Sequence, residues 1–181
     1  PISRMPLGEV LSGFTMGFGI FWITVFLNVP EGTVFAGVQL DGSILTMQLD
    51  IIAQLKVFLL SLPLVCTIAN IMLSNNICDL ETDITNHRYT LVYYIGKKQA
   101  LVVYQVLYAI AFGAMVLAVL LGVAPWILLG VLAVGVPVYK HIQQFKALQE
   151  KKTTFALAIK NMVMIHSLQA VLLFVAVLFF N

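Results

Sequence analysis

Charge is what this sequence has least of. Ten Lys or Arg and eight Asp or Glu make up 10% of 181 residues, where ordinary soluble domains carry roughly 25%. Hydrophobic residues account for 61%, and the mean hydropathy is +1.00. A water-soluble domain of this size is excluded, because it has too little interior to hide that much apolar surface. A bilayer removes the conflict by solvating the outer faces of helices whose backbone groups bond internally. Cysteine is scarce, and Cys66 and Cys78 lack the spacing of a disulfide framework or a zinc site. No Lys/Arg run alternates with aromatics as nucleic-acid binding needs, and the net charge of +2 is ordinary for a membrane protein. The sequence has no internal repeat and no signal peptide with a small-residue cleavage site. It opens Pro-Ile-Ser-Arg without an initiator methionine and reads as a piece of a longer protein.

What is present is apolar length. Five stretches suit membrane helices, at about 7–27, 51–73, 99–121, 126–139 and 155–180, which predicts an all-α, polytopic bundle in a single membrane domain over 1–181. Gly13, Gly17 and Gly19 in the first stretch would let a neighbouring helix approach closely. The loops around Asn28–Asp50 and Gly122–Pro125 contain no Lys or Arg. Arg4, Arg88, Lys97, Lys98, Lys140, Lys146, Lys151 and Lys152 all fall on the other side. The positive-inside rule therefore places the chain start in the cytoplasm and Asn181 outside. Lys56 and Lys160 near span ends can snorkel. Within the longest outer loop, broken by Pro30, Gly32, Gly37 and Gly42, Val34–Leu40 suggests a short interfacial segment.

Polar chemistry concentrates in Ser74–Leu91, where Asp79, Glu81 and Asp83 fall within five positions just past the second stretch. On a continuing helix Asn76, Asp79 and Asp83 share a face, Asn75 lies at its edge and Glu81 points elsewhere. Two carboxylates at i, i+4 repel one another, so a cation between them is one reading and a solvated helix end is the other. Asn75, Asn76 and Arg88 weigh towards the first. Oxygen ligands with one or two carboxylates suit Mg²⁺, and the guanidinium of Arg88 suits a phosphate oxygen. Lys97 and Lys98 add positive potential nearby.

The run Asn75-Asn76-Ile77-Cys78-Asp79-Leu80-Glu81-Thr82-Asp83, followed by Arg88, Thr90-Leu91 and Gly96, resembles the second aspartate-rich motif of the UbiA superfamily of intramembrane prenyltransferases. The paired asparagines most resemble the menaquinone branch, the MenA-type 1,4-dihydroxy-2-naphthoate polyprenyltransferases. Pro1–Glu9 resembles the entry to that branch's fifth helix. The resemblance implies nine helices and two facing aspartate-rich motifs that bind Mg²⁺ and a polyprenyl diphosphate. This chain would then supply helices five to nine and lack the first motif. Carried over, Asp79 and Asp83 are the catalytic aspartates, which with Asn76 hold the metal, while Asn75, Asn76 and Arg88 bind diphosphate. The partners implied are an aromatic acceptor, the missing amino-terminal helices and the lipid of a bacterial plasma membrane. Two positions depart from the family pattern: Cys78 stands where arginine is common, and His87 where glycine is frequent.

Other polar residues read first as structural. His166, Gln169, Asn161 and Asn70 suit interhelical hydrogen bonds or a pocket lining. Glu9 suits the first turn of its helix, with a site role as the alternative. Tyr93 and Tyr94 read as interfacial aromatics, and Pro63 and Pro137 as helix-bending residues. Two rival functions remain open, namely another aromatic acceptor within the superfamily, or a transporter with Asp79 and Asp83 on a cation path.

Overall fold

The computed structural model describes residues 5–30 and 33–179. Pro1, Arg4, Gly32 and Asn181, named above, and the last position of the fifth apolar stretch lie outside the described residues. Five helices are long and apolar enough to cross a membrane: α1 (Gly8–Leu27), α2 (Ile51–Thr85), α3 (Leu91–Leu120), α4 (Trp126–Ala147) and α5 (Phe155–Phe179). The chain is an integral membrane protein with an all-α, polytopic bundle. Its central element is α2, which packs against α1, α3 and α5, while α4 closes on α3 and α5.

Small residues set the α1–α2 seam. A Cβ on Gly17 would lie 2.5 Å from the backbone nitrogen of Val65, and one on Gly13 would lie 2.7 Å from the Val65 carbonyl oxygen. Only glycine permits that approach. Gly19 makes no such contact; its nearest atom belongs to its own helix. The same stretch, Gly13–Gly19, is wound as a π-helix between regular α-helical ends.

Buried polar side chains elsewhere find partners across helices, as a hydrocarbon surrounding requires. Asn161 of α5 donates to the Tyr108 hydroxyl (3.1 Å), which lies 3.4 Å from that of Tyr104. His141 Nδ1 of α4 sits 2.6 Å from the Asn161 side-chain oxygen. Asn70 of α2 donates to the Tyr104 carbonyl (3.0 Å), and Thr67 pairs with His166 of α5 at 2.7 Å. Asn70, Asn161 and His166 thus serve as interhelical ties. Gln169 is buried beside His166 in a cavity of about 220 Å³, and its side-chain oxygen has no hydrogen-bond partner among the described residues.

The loop between α1 and α2 forms a β-hairpin instead of the short interfacial segment expected at Val34–Leu40. Strands β1 (Ala36–Asp41) and β2 (Ile44–Leu49) pair antiparallel, from Ala36↔Leu49 to Asp41↔Ile44. Gly42, at φ +59°, takes the first of the two loop positions, where such a turn needs a residue that tolerates positive φ. Apolar and polar residues alternate over Val38–Asp41 and Leu45–Leu49, which is strand periodicity.

Candidate functional site

Helix α2 has 35 residues, roughly 52 Å at 1.5 Å per residue, against a hydrocarbon thickness of roughly 30 Å. It therefore outruns the bilayer, and the surplus carries Asn75 to Asp83 past the apolar segment. Its end is a Schellman turn. The Arg88 amide donates to the Asp83 carbonyl (2.8 Å) and the His87 amide to that of Ile84 (3.0 Å), with His87 at φ 55°. A left-handed residue at this position explains why glycine is frequent there in the family that the motif resembles; histidine here adopts the conformation at some cost.

The turn folds Arg88 back onto the helix it terminates. Its guanidinium Nη1 lies 3.1 Å from Asp83 Oδ1. Thr90 then starts α3, and Gly96, at φ 77° and ψ 156°, breaks the helix one turn later. The apolar stretch read as starting near Gln99 is the part of α3 beyond this break. Arginine, Thr-Leu and glycine are thus the successive parts of one tight reversal.

Each predicted site residue can now be placed. Asp83 is 2% exposed; one carboxylate oxygen meets Arg88 and the other, Oδ2, has no hydrogen-bond partner among the described residues. Asp79 is ion-paired with Lys151 from the loop between α4 and α5. In that loop the Thr154 hydroxyl accepts from the Glu150 amide (2.9 Å) and donates to the Leu148 carbonyl (2.8 Å), holding the turn that presents Lys151. Asn76, also 2% exposed, donates to Glu9 of α1 at 2.8 Å. Asn75 is half-buried and takes no part in these pairs, and Glu81 is exposed.

Asn76, Asp79 and Asp83 therefore share a helix face but hold three different partners. Among the described residues, no group of three or more Asp, Glu, His or Cys is gathered as a metal site. The buried oxygens Glu9 Oε2, Asn76 Oδ1, Asp83 Oδ2 and Thr90 Oγ1 all lack hydrogen-bond partners among the described residues. Orphaned oxygens of this kind, beside two carboxylate–cation pairs, fit a hard cation and an oxyanion better than a finished structural network. Lys151 had no signal in the sequence as a member of the site beyond its place among the basic loop residues. Glu9 had its place at a helix start, with a site role as the lesser alternative.

A polytopic helical membrane protein with carboxylates, amides and basic side chains at one end of its bundle is the class that fold and site define. This chain belongs to the UbiA prenyltransferase family, whose model matches residues 1–168. It is 30% identical over 139 residues to the 1,4-dihydroxy-2-naphthoate octaprenyltransferase of Bacillus subtilis (strain 168). The match covers 76% of this chain and 38% of that relative, so the chain spans well under half of the relative's length. No solved structure matches.

Proposed function

We propose that this chain supplies the carboxyl-terminal part of a prenyltransferase that joins a polyprenyl group from its diphosphate to 1,4-dihydroxy-2-naphthoate. A first aspartate-rich motif would come from the remainder of a longer polypeptide. The observation that carries the reading is the pairing of Asp79 with Lys151 and Asp83 with Arg88, together with buried oxygens that lack partners among the described residues. The relative's printed activity supports the choice of acceptor. The basic loops support a cytoplasmic site in a bacterial plasma membrane, with the chain start inside and its end outside.

Asp79, Asp83 and Asn76 would hold Mg²⁺, which when bound neutralises charge on the departing diphosphate. Arg88 and Lys151 are held near the carboxylates and can turn to diphosphate oxygens as the carbon–oxygen bond breaks. Asn75, at the edge of the same face, is within reach of the same anion. Glu9 fixes the orientation of Asn76 through its hydrogen bond. The diphosphate leaves with the bonding electron pair, and the acceptor's ring carbon bonds the allylic carbon. Loss of the ring carboxyl as carbon dioxide restores aromaticity. The apolar helices around the site keep out water that would capture the cation.

The test uses the full-length protein in membranes. Asp79→Ala and Asp83→Ala should each lower Mg²⁺-dependent transfer to dihydroxynaphthoate by roughly 10²-fold or more, with unchanged amounts of folded protein. Normal turnover in both variants would overturn the site. Transfer only to a different aromatic acceptor, such as 4-hydroxybenzoate, would keep the site and overturn the substrate.

A further inference from the structure

The hairpin sorts most of its side chains by face. Its register puts Ala36, Val38, Leu40, Leu45, Met47 and Leu49 on one face, as the pairs Ala36↔Leu49, Val38↔Met47 and Leu40↔Leu45. The opposite face carries Gly37↔Gln48, Gln39↔Thr46 and Asp41↔Ile44, so it is polar apart from the exposed Ile44 beside the turn. Yet the apolar face is uncovered: Leu40 is 72% and Met47 76% exposed. An apolar sheet face left open to water is unfavourable and prone to aggregation.

The hairpin is not free to swing. At its base the Asp50 amide donates to the Phe35 carbonyl (3.1 Å), which also accepts from the Gln54 side chain of α2 (3.0 Å). Gln54 accepts in turn from the indole of Trp22 in α1. The Trp22 ring lies 5.8 Å from Phe35 and stacks on Phe26 at 5.3 Å. The apolar face and these aromatics together line a cavity of about 570 Å³, bounded by Trp22, Phe26, Val38, Met47 and Leu49. Trp22 lies five residues inside the end of α1, roughly 7.5 Å along the helix, so the base of the hairpin packs against the side of an apolar, span-length helix.

We infer that this hairpin is an interfacial anchor, laid flat on the outer leaflet with its apolar face among lipid acyl chains that also fill the cavity. The partner is lipid because the face continues the lipid-facing surface of the spans it joins. Phe26 and Leu27 are exposed at one root, and Ile51, Ile52 and Leu55 at the other. The connection Asn28–Asp50 holds no Lys or Arg, and the one carboxylate on the strands, Asp41, lies off the apolar face. Full insertion is ruled out by the outer edges of a two-stranded sheet, whose free N–H and C=O groups need water or headgroups. The polar face then meets the headgroups, and each strand edge lies along the interface.

Depth-dependent quenching tests this. In the full-length protein with Cys66 and Cys78 replaced by Ala, single cysteines at Val38, Met47, Gln39 and Thr46 are labelled with a small fluorophore. The proteins are reconstituted in phosphatidylcholine vesicles. Bromine-bearing acyl chains should quench labels at 38 and 47 roughly threefold more than those at 39 and 46, with aqueous iodide showing the reverse order. Equal iodide quenching on both faces would overturn the anchor in favour of a hairpin held in water. Shielding of 38 and 47 from both quenchers would overturn it in favour of a protein cover. Strand pairing is verified separately by disulfide formation in the Val38→Cys/Met47→Cys double variant, whose failure would also overturn the proposal.

Discussion

The two ends of helix α2 carry opposite kinds of surplus. At the basic end, Glu9, Asn76, Asp83 and Thr90 bury more polar oxygens than the described residues provide partners for. At the other, the hairpin exposes more apolar surface than the chain provides cover for. In each case the imbalance names what must come from outside. Unpaired buried oxygens call for a cation and its anion, whereas an uncovered apolar face calls for hydrocarbon. Helix α1 ties the ends together, because it carries Glu9 at one and Trp22 at the other.

Substitutions can break this contrast. The largest effect after the aspartates is expected at Arg88. Arg88→Ala strips the cation from buried Asp83 and should reduce transfer by roughly 10²-fold. Arg88→Lys should recover only part of this, because an ammonium cannot make the paired contacts of a guanidinium. The KM for polyprenyl diphosphate and kcat, measured for both variants, decide the matter, and full activity in Arg88→Ala would remove Arg88 from the site.

Next comes the seam that couples the ends. Gly17→Ala places a Cβ 2.5 Å from backbone of α2 and should destabilise the protein by about 1–3 kcal/mol. Thermal unfolding in detergent measures it. Gly19→Ala, with no contact tighter than 3.8 Å, should be near neutral and serves as the control. Glu9→Ala follows, leaving Asn76 without its buried acceptor at a cost of about 1–3 kcal/mol. It should lower transfer without changing label depth at the hairpin, so a shift at both ends would show that α1 itself had moved.

The smallest effect is expected at His87→Gly. Relief of the left-handed histidine should stabilise the protein by about 1 kcal/mol, less the extra freedom glycine gains when unfolded. A lowered unfolding temperature would show that the His87 side chain holds something the turn needs.

Much of this architecture is legible along the chain. Apolar length marks the five helices, but it ends near Leu73 where α2 does not, because a helix leaving the bilayer needs no apolar residues to continue. The start of α3 at Leu91 was hidden for a similar reason. Gly96 interrupts the helix in its dihedral angles, leaving only a lone glycine in the sequence. The hairpin was legible in part, since Val38-Gln39-Leu40 and Leu45-Thr46-Met47 alternate with period two around Asp41-Gly42. The apolar background favoured reading one interfacial segment there. At the candidate site, the helix-face spacing of Asn76, Asp79 and Asp83 was readable, but the partner of each was not.

By itself, then, the sequence determined the solvent, the number of spans and the motif that carries the family resemblance. These are properties summed or repeated along the chain, and they survive ignorance of how helices cross. Only the tertiary structure decided that Lys151 answers Asp79 from 72 residues away and that Glu9 answers Asn76 from 67. It alone selected Gly13 and Gly17, but not Gly19, for the α1–α2 seam. Such choices turn on ångström-scale distances between crossing helices, where a hydrogen bond or a missing Cβ either fits or does not.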